Sequence, residues 1–448
     1  MSLKFGTDGV RGLANGELTP ELALTLGRSA ARILGGGTWL IGRDTRRSGP
    51  MLTAALAAGL ASEGVDVVDL GVVPTPGVAH LSGVDEVCAA MISASHNPFA
   101  DNGIKLFTAG GRKLSDETEE LLEAELTTLG SHGDPRPRPS GAEVGGLRHA
   151  PEAVTRYRDH LVGAVLDGRR LDGLKVVIDA ANGAASGLAL DVLSALGAEV
   201  SAIHDSPDGV NINDGCGSTY PADLQAAVVE RGAHLGLAFD GDADRVLAVD
   251  ETGALVDGDQ IIAMCAIDLH ARGLLADGTV VVTVMSNLGF RQGMASRGIE
   301  VAITGVGDRN VLEELDRGRY SLGGEQSGHI IFRDLASTGD GLLTGLILLD
   351  LVVRSGRSLG ELAAEAMTRL PQVLVNVRTA RRDPGLIDRL APAVAESEER
   401  LADRGRILLR PSGTEPVVRV MVEAPTEDEA RDVAETLAAK VRAEAGEA

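Results

Sequence analysis

The chain has 448 residues, 44% of them hydrophobic, and its 65 acidic against 42 basic side chains leave a formal net charge of -23. That apolar content packs cores and excludes a disordered chain, while the acidic surplus repels nucleic-acid backbone and anionic lipid. Aromatics make up 2%, with Trp39 the single tryptophan, so stacking platforms for single strands are scarce.

Apolar β-rich runs alternate with Ala/Leu-rich amphipathic runs along most of the chain, the rhythm of layered α/β structure. The pattern predicts helices over 21–34 and 51–63 with strands over 38–41, 65–70 and 87–92. A Gly- and Pro-rich stretch, 129–151, reads as a linker. Beyond it come helices over 151–165, 188–196 and 222–231 and strands over 174–179, 200–204 and 235–239. A third stretch predicts helices over 260–271, 290–296 and 340–353 and strands over 279–284 and 301–304. The tail reads strand 373–379, helix 386–400, strands 407–409 and 417–422, and helix 427–443, with a hinge at 370–372. Length alone favours about three domains. The modules instead favour four: 1–150, 151–252, 253–370 and 371–448. Cys88, Cys216 and Cys265 are far apart without CxxC spacing, giving neither a disulfide framework nor a zinc signature. The start has no apolar leader, and 341–353 is too short to span a bilayer and contains Asp350, so a cytoplasmic location is expected.

Four loops carry chemistry. Ser93-Ala94-Ser95-His96-Asn97-Pro98 follows a strand, with Lys105 just beyond, and has the parts of an activated hydroxyl. A helix cap with a Pro turn would use the same residues. Asp240-Gly241-Asp242-Ala243-Asp244-Arg245 puts three carboxylates at alternate positions, on one side if the backbone is extended. At a separation of about 4 Å and an effective dielectric of about 20, each ionised pair repels by roughly 4 kcal/mol, so the cluster calls for a cation or a proton. Hard oxygen donors suit Mg2+. A solvated turn is one alternative, and a calcium loop is another because Glu251 is twelfth from Asp240, although Arg245 stands sixth where such loops take Gly.

Gly324-Glu325-Gln326-Ser327-Gly328-His329 offers groups that bond sugar hydroxyls, or is a Gly-rich turn. Arg410-Pro411-Ser412-Gly413-Thr414-Glu415-Pro416, with Arg419 following, reads as a phosphate cradle or as a plain turn with incidental arginines. Rival functions are a silent phosphosugar-binding or calcium-binding module and a DxD-type transferase, the last lacking a GxxxxGK[ST] loop.

In order, these loops together with Phe5-Gly6-Thr7-Asp8-Gly9-Val10-Arg11-Gly12, Asn211-Ile212-Asn213-Asp214-Gly215-Cys216-Gly217 and Val284-Met285-Ser286-Asn287-Leu288-Gly289 resemble the α-D-phosphohexomutase superfamily over nearly the whole chain. The resemblance implies an α/β fold of three similar mixed-sheet domains plus a smaller C-terminal α+β domain around a central cleft. It implies an isomerase that interconverts glucosamine 6-phosphate and glucosamine 1-phosphate through a phosphoserine and a 1,6-bisphosphate. Mannose or glucose phosphates are the alternative substrates.

By the same resemblance Ser95 carries the phosphoryl group, and Ser95, Asp240, Asp242 and Asp244 hold Mg2+. Arg11 and Arg245 flank the phosphoserine, while His96, Lys105 and His329 are the groups for proton transfer or charge stabilisation. Glu325 and Ser327 bind sugar hydroxyls, and Arg410, Ser412, Gly413, Thr414 and Arg419 bind the remote phosphate. Glucosamine 1,6-bisphosphate is expected as intermediate and activator, a small phosphosugar as partner, and a homodimer is left open. Gly305 and Asn310 depart from the Lys and Tyr of relatives in the Val306-Gly307-Asp308-Arg309 loop, which puts a substrate contact from position 305 in doubt.

Overall fold

Strands buried on both faces need continuous apolar runs, and the chain supplies them in Cys88–Ile92, Leu235–Phe239 and Thr279–Thr283, each buried along its whole length. The computed structural model describes residues 9–131, 136–164, 168–379, 383, 385–411 and 416–445. They form two compact units, one of Met1–Met285 with Ile299–Ala364 and one of Ser286–Gly298 with Glu365–Ala448.

The first unit holds three mixed sheets. In the first, the strand order is Val10–Leu13, Asp101–Thr108, Cys88–Ile92, Thr38–Arg43, Asp66–Val72 and Leu147–His149, with Arg112–Lys113 hairpinned onto Asp101–Thr108. Pairings are antiparallel across the first three strands and parallel thereafter. The second sheet runs Leu255–Val256, Val246–Asp250, Leu235–Phe239, Lys175–Asp179, Glu199–Ile203, and the third runs Glu300–Thr304, Thr279–Thr283, Leu322–Gly324, Ile330–Phe332. Helices begin where the sequence caps them. Thr19 accepts from the Leu22 N–H ahead of Pro20–Leu34, and Asp257 and Gln260 form a reciprocal capping box at the start of Gly258–Ala271.

The second unit contains the helix Leu288–Ala295 and an antiparallel sheet of Gln372–Arg378, Val417–Glu423 and Arg406–Pro411. Gln372–Arg378 alternates buried with more exposed residues, while Val417–Glu423, the central strand, is buried from Val420 onward. Val373, Val377, Val418, Val420 and Val422 pack with Leu386, Leu390, Leu437 and Val441 from the helices Leu386–Leu401 and Glu427–Ala445.

The observed elements depart from the sequence pattern in three respects. Within 129–151, Leu147–His149 is an edge strand paired in parallel with Val67–Asp69, because backbone bonding needs no apolar periodicity. The helices Thr75–Asp85, Asp116–Ser131, Asp308–Gly318 and Leu359–Ala366 and the strand Asp101–Thr108 were not anticipated. Thr75–Asp85 is buried through most of its first two turns and so lacks a polar stripe. Finally, the hinge expected at 370–372 lies inside the second unit, where the Leu370 N–H donates to Asn287 Oδ1 and the Leu370 carbonyl accepts from Asn287 Nδ2, both at 3.0 Å.

Candidate active site

Ser95 follows the buried strand Cys88–Ile92 and adopts a left-handed backbone, φ 52°, that a non-glycine residue keeps only when its surroundings hold it there. Those surroundings are specific. The Ser95 N–H donates to Ser93 Oγ at 2.9 Å, and Ser93 Oγ donates to Asp44 Oδ2 at 2.7 Å. Arg46, fully buried, pairs with Asp44 at 2.9 Å and donates to the carbonyls of Ser95, Asn97, Pro98 and Asp101. Asn213 donates its amide to the Ser95 and Asn97 carbonyls at 2.9 and 3.0 Å. Arg46 and Asn213 therefore bind the loop by its backbone and leave the Ser95 hydroxyl for chemistry.

That hydroxyl donates to Asp240 Oδ2 at 2.6 Å and lies 3.3 Å from His96 Nδ1. Asp240, Asp242 and Asp244 lie on a turn between the strands Leu235–Phe239 and Val246–Asp250, not on the extended segment the alternating pattern predicts. The turn needs Ala243 at φ 55° and Gly241 against the Ser95 carbonyl, where a Cβ would come within 2.6 Å of the oxygen. Its three carboxylates offer oxygens all within 4.8 Å of one another.

Lys105, buried on the strand Asp101–Thr108, extends Nζ to Asp242 Oδ2 at 2.9 Å and Asp244 Oδ2 at 3.2 Å. Thr75 Oγ1 donates to Asp242 Oδ2 at 2.6 Å. Burial pushes the Asp240 carboxyl well up, reinforced by Asp244 and Asp242. Burial acts on Asp242 too, but Lys105, Thr75 and Arg11 outweigh it and hold that carboxyl below its ordinary range. The Lys105 ammonium is shared between Asp242 and Asp244, and Asp242 Oδ1 and Asp244 Oδ1 are buried with no hydrogen-bond partner among the described residues. Such orphaned hard oxygens fit a divalent cation of the Mg2+ type.

Arg11 donates to the Ala94 carbonyl at 3.4 Å, and the Arg245 N–H donates to Asp240 Oδ1 at 3.2 Å. Burial, Arg245 and Arg11 push the His96 ring down to about 4, so it is neutral at pH 7. Ser95, His96, Lys105, Arg11, Arg245 and the three aspartates thus form one cluster.

The loop Glu325 to His329 folds on itself, with the Gly328 N–H donating to the Glu325 carbonyl and the Glu325 N–H to the His329 carbonyl, both at 3.0 Å. Glu325 Oε1 accepts from the Gly307 N–H at 3.0 Å, Ser327 is exposed, and the buried His329 ring lies 3.6 Å from Asp308, which Lys113 also pairs. The Val246 N–H donates to the Gly328 carbonyl at 3.1 Å and the Gly341 N–H to the Ala243 carbonyl at 3.0 Å, tying this loop region to the aspartate turn.

Arg410 and Arg419 belong to the second unit, where register sets them directly opposite each other on adjacent strands. Like charges so placed are destabilising, and an anion between them relieves the repulsion. Ser412, Gly413 and Thr414 lie outside the described residues, as does 5–8 of the first motif.

The chain matches phosphoglucomutase/phosphomannomutase alpha/beta/alpha domain I over residues 2–132, domain II over 155–253, domain III over 257–370 and the C-terminal domain of the same family over 374–440. The chain belongs to the phosphoglucomutase/phosphomannomutase family. It is 55% identical to phosphoglucosamine mutase of Frankia alni, with 99% of each chain covered. It is 56% identical to phosphoglucosamine mutase of Saccharopolyspora erythraea, with 99% of this chain and 100% of that one covered. Among solved structures, a phosphoglucomutase/phosphomannomutase family protein from Burkholderia thailandensis superposes with a TM-score of 0.83 at 26% identity, covering 99% of this chain and 98% of that one. Three mixed α/β domains followed by a smaller C-terminal domain are the family's architecture here.

Sequence reasoning gave no role to Thr75, Asp44, Arg46, Ser93 or Asn213. Asp44 and Arg46 carried no signal, since charged residues just past a strand are ordinarily solvated and only the structure shows them buried and paired.

Proposed function

We propose that this chain is a phosphoglucosamine mutase, transferring a phosphoryl group from phosphorylated Ser95 to the free hydroxyl of glucosamine 6-phosphate. The observation that carries the reading is the Ser95 hydroxyl, 2.6 Å from Asp240 at a buried turn of three aspartates shared with Lys105. Full-length identity above one half with phosphoglucosamine mutases supports the substrate.

Ser95, Asp240, Asp242 and Asp244 would hold Mg2+, which supplies charge neutralisation of the transferred group. The O1 hydroxyl of the sugar attacks phosphorus, the bond to Ser95 Oγ breaks, and Ser95 takes up a proton as the sugar becomes the 1,6-bisphosphate. After the bisphosphate turns around, Ser95 Oγ gives up its proton and attacks the 6-phosphoryl group, the bond from phosphorus to O6 breaks, O6 takes up a proton, and glucosamine 1-phosphate leaves. Lys105, buried between Asp242 and Asp244, and neutral His96, 3.3 Å from the hydroxyl, are the groups placed to move the proton or answer the developing charge. Arg11 and Arg245 fix the phosphoserine. Glu325, Ser327 and His329 receive the sugar, and Arg410 and Arg419 with Ser412, Gly413 and Thr414 bind the phosphate that is not being transferred.

Intact-mass measurement after incubation with glucosamine 1,6-bisphosphate should show one added phosphate that is absent from Ser95→Ala, whose turnover falls by orders of magnitude. A fully active alanine variant overturns the mechanism. Comparing kcat/KM for glucosamine 6-phosphate with mannose and glucose phosphates tests the substrate, and a preference for either hexose phosphate overturns it.

A further inference from the structure

A second group of metal-ligand side chains lies in the second sheet, apart from the three aspartates. Asp179 ends the strand Lys175–Asp179, His204 follows the neighbouring strand Glu199–Ile203, and Cys216 lies in the loop before the turn Gly217–Thr219. Each offers one ligand atom, and the three atoms lie within 4.8 Å of one another. Ligand atoms about a tetrahedral zinc are separated by roughly 3.3–3.8 Å, from bond lengths of about 2.0–2.3 Å.

The ligands are held in advance. Asp179 accepts the Ala181 N–H and the Gly217 N–H, both at 2.9 Å, one on each carboxylate oxygen, which fixes the group and leaves further lone pairs. His204, about a quarter exposed, has Nδ1 3.1 Å from Asp179 Oδ2, so the two ligand atoms are already close to the separation a shared tetrahedral cation requires. Its other nitrogen, Nε2, lies 3.3 Å from Asp223 Oδ2. A carboxylate on the far nitrogen is the arrangement that sets the tautomer of a metal-ligating histidine. Cys216 is fully buried, its sulfur 4.0 Å from the Asn182 amide nitrogen. A bound cation of this kind takes the thiol as thiolate.

We propose that Asp179, His204 and Cys216 form a site for a thiophilic divalent cation of the zinc class, with Asp223 orienting His204. Binding displaces the Cys216 thiol proton to solvent, the half-buried His204 side leaves an entry path, and water completes the tetrahedron. The role is structural. The Asn213 N–H donates to the Ala181 carbonyl at 2.9 Å and the Ala184 N–H to the Gly241 carbonyl at 2.8 Å, so a cation here ties together the two loops that carry Asn213 and support the aspartate turn.

The test is titration of the full chain with Co2+ in saturating Mg2+, read by thiolate-to-cobalt charge-transfer absorption and by thermal melting. One equivalent should give the band and raise the melting temperature. Cys216→Ser and His204→Asn should lose both, the latter keeping a residue tolerated at φ 46°. Asp223→Asn should weaken binding by roughly 10-fold to 100-fold. Asp240→Asn should keep the band, which separates this site from the proposed catalytic metal. No band in the parent chain overturns the assignment, as does a band that survives His204→Asn or Cys216→Ser or is lost with Asp240→Asn.

Discussion

Arg46 shows how much of the site rests on a side chain that need not touch substrate. Its guanidinium is sealed from solvent against Asp44 and donates to four loop carbonyls. Arg46→Met leaves the buried Asp44 carboxylate without its cation and takes a donor from each of those carbonyls, and breaking a buried pair from one side costs about 3–5 kcal/mol. Urea unfolding should show a loss of that order, with Arg46→Lys recovering only part of it because one ammonium cannot reproduce the fork. His80 tests the surroundings differently. Its ring stacks on His160 with centroids 4.0 Å apart, and burial, His160 and Arg156 push it down to about 4. A histidine whose folded value lies below the unfolded 6.5 contributes stability that is complete above pH 6.5 and is lost as pH falls toward 4. His80→Phe keeps the stack and should flatten the urea midpoint across that window; an unchanged slope refutes the shift.

At the scale of elements, the helix Gly341–Ser355 is capped by Asp340, whose side chain accepts the Leu343 N–H at 2.9 Å and the Tyr157 hydroxyl at 3.0 and 2.9 Å. Tyr157 comes from the helix Val154–Ala164, so one carboxyl joins two helices. Burial pushes Asp340 up to about 6. A raised carboxyl makes the fold pay for ionisation as pH rises through 6, by about 3 kcal/mol for a shift from 3.8 to about 6. Asp340→Asn retains the acceptor for both donors and has no such dependence. The variant should gain on the parent chain by about that amount between pH 4 and pH 7.5, and parallel stability curves would contradict it.

At this same scale the sequence was readable where periodicity was strong. The strand Leu235–Phe239 and the helix Ala222–Arg231 fall on the predicted residues. Leu147–His149 and Asp101–Thr108 were not readable, because strands with polar or short composition are chosen by the neighbour that pairs with them.

For the whole molecule, a net charge of -23 coexists with a site that gathers Arg11, Lys105 and Arg245 about three buried aspartates. Burial of Asp240 beside Asp244 and Asp242 is a standing cost to the fold, which a bound divalent cation offsets by linkage, about 2.7 kcal/mol at 100 times its Kd. Melting temperature should therefore rise with Mg2+ and fall on chelation. Asp240→Asn, which removes one buried charge, should melt higher than the parent chain in chelator yet lose most of the Mg2+ response. A response identical to the parent's would remove Asp240 from the metal set.

The sequence alone determined the alternation of α and β elements, the four motif loops and the family they belong to, because periodicity and short motifs are local properties of a chain. It also placed Ser95, Lys105 and the aspartates on one chemical task. Only the tertiary structure decided that Lys105 lies between Asp242 and Asp244, that Arg46 and Asn213 hold the Ser95 loop, that Arg410 faces Arg419, and that Cys216 meets His204 and Asp179. Those partners are far apart in the chain, and no spacing rule reaches across separate strands; the sheets that bring their ends together set the distances.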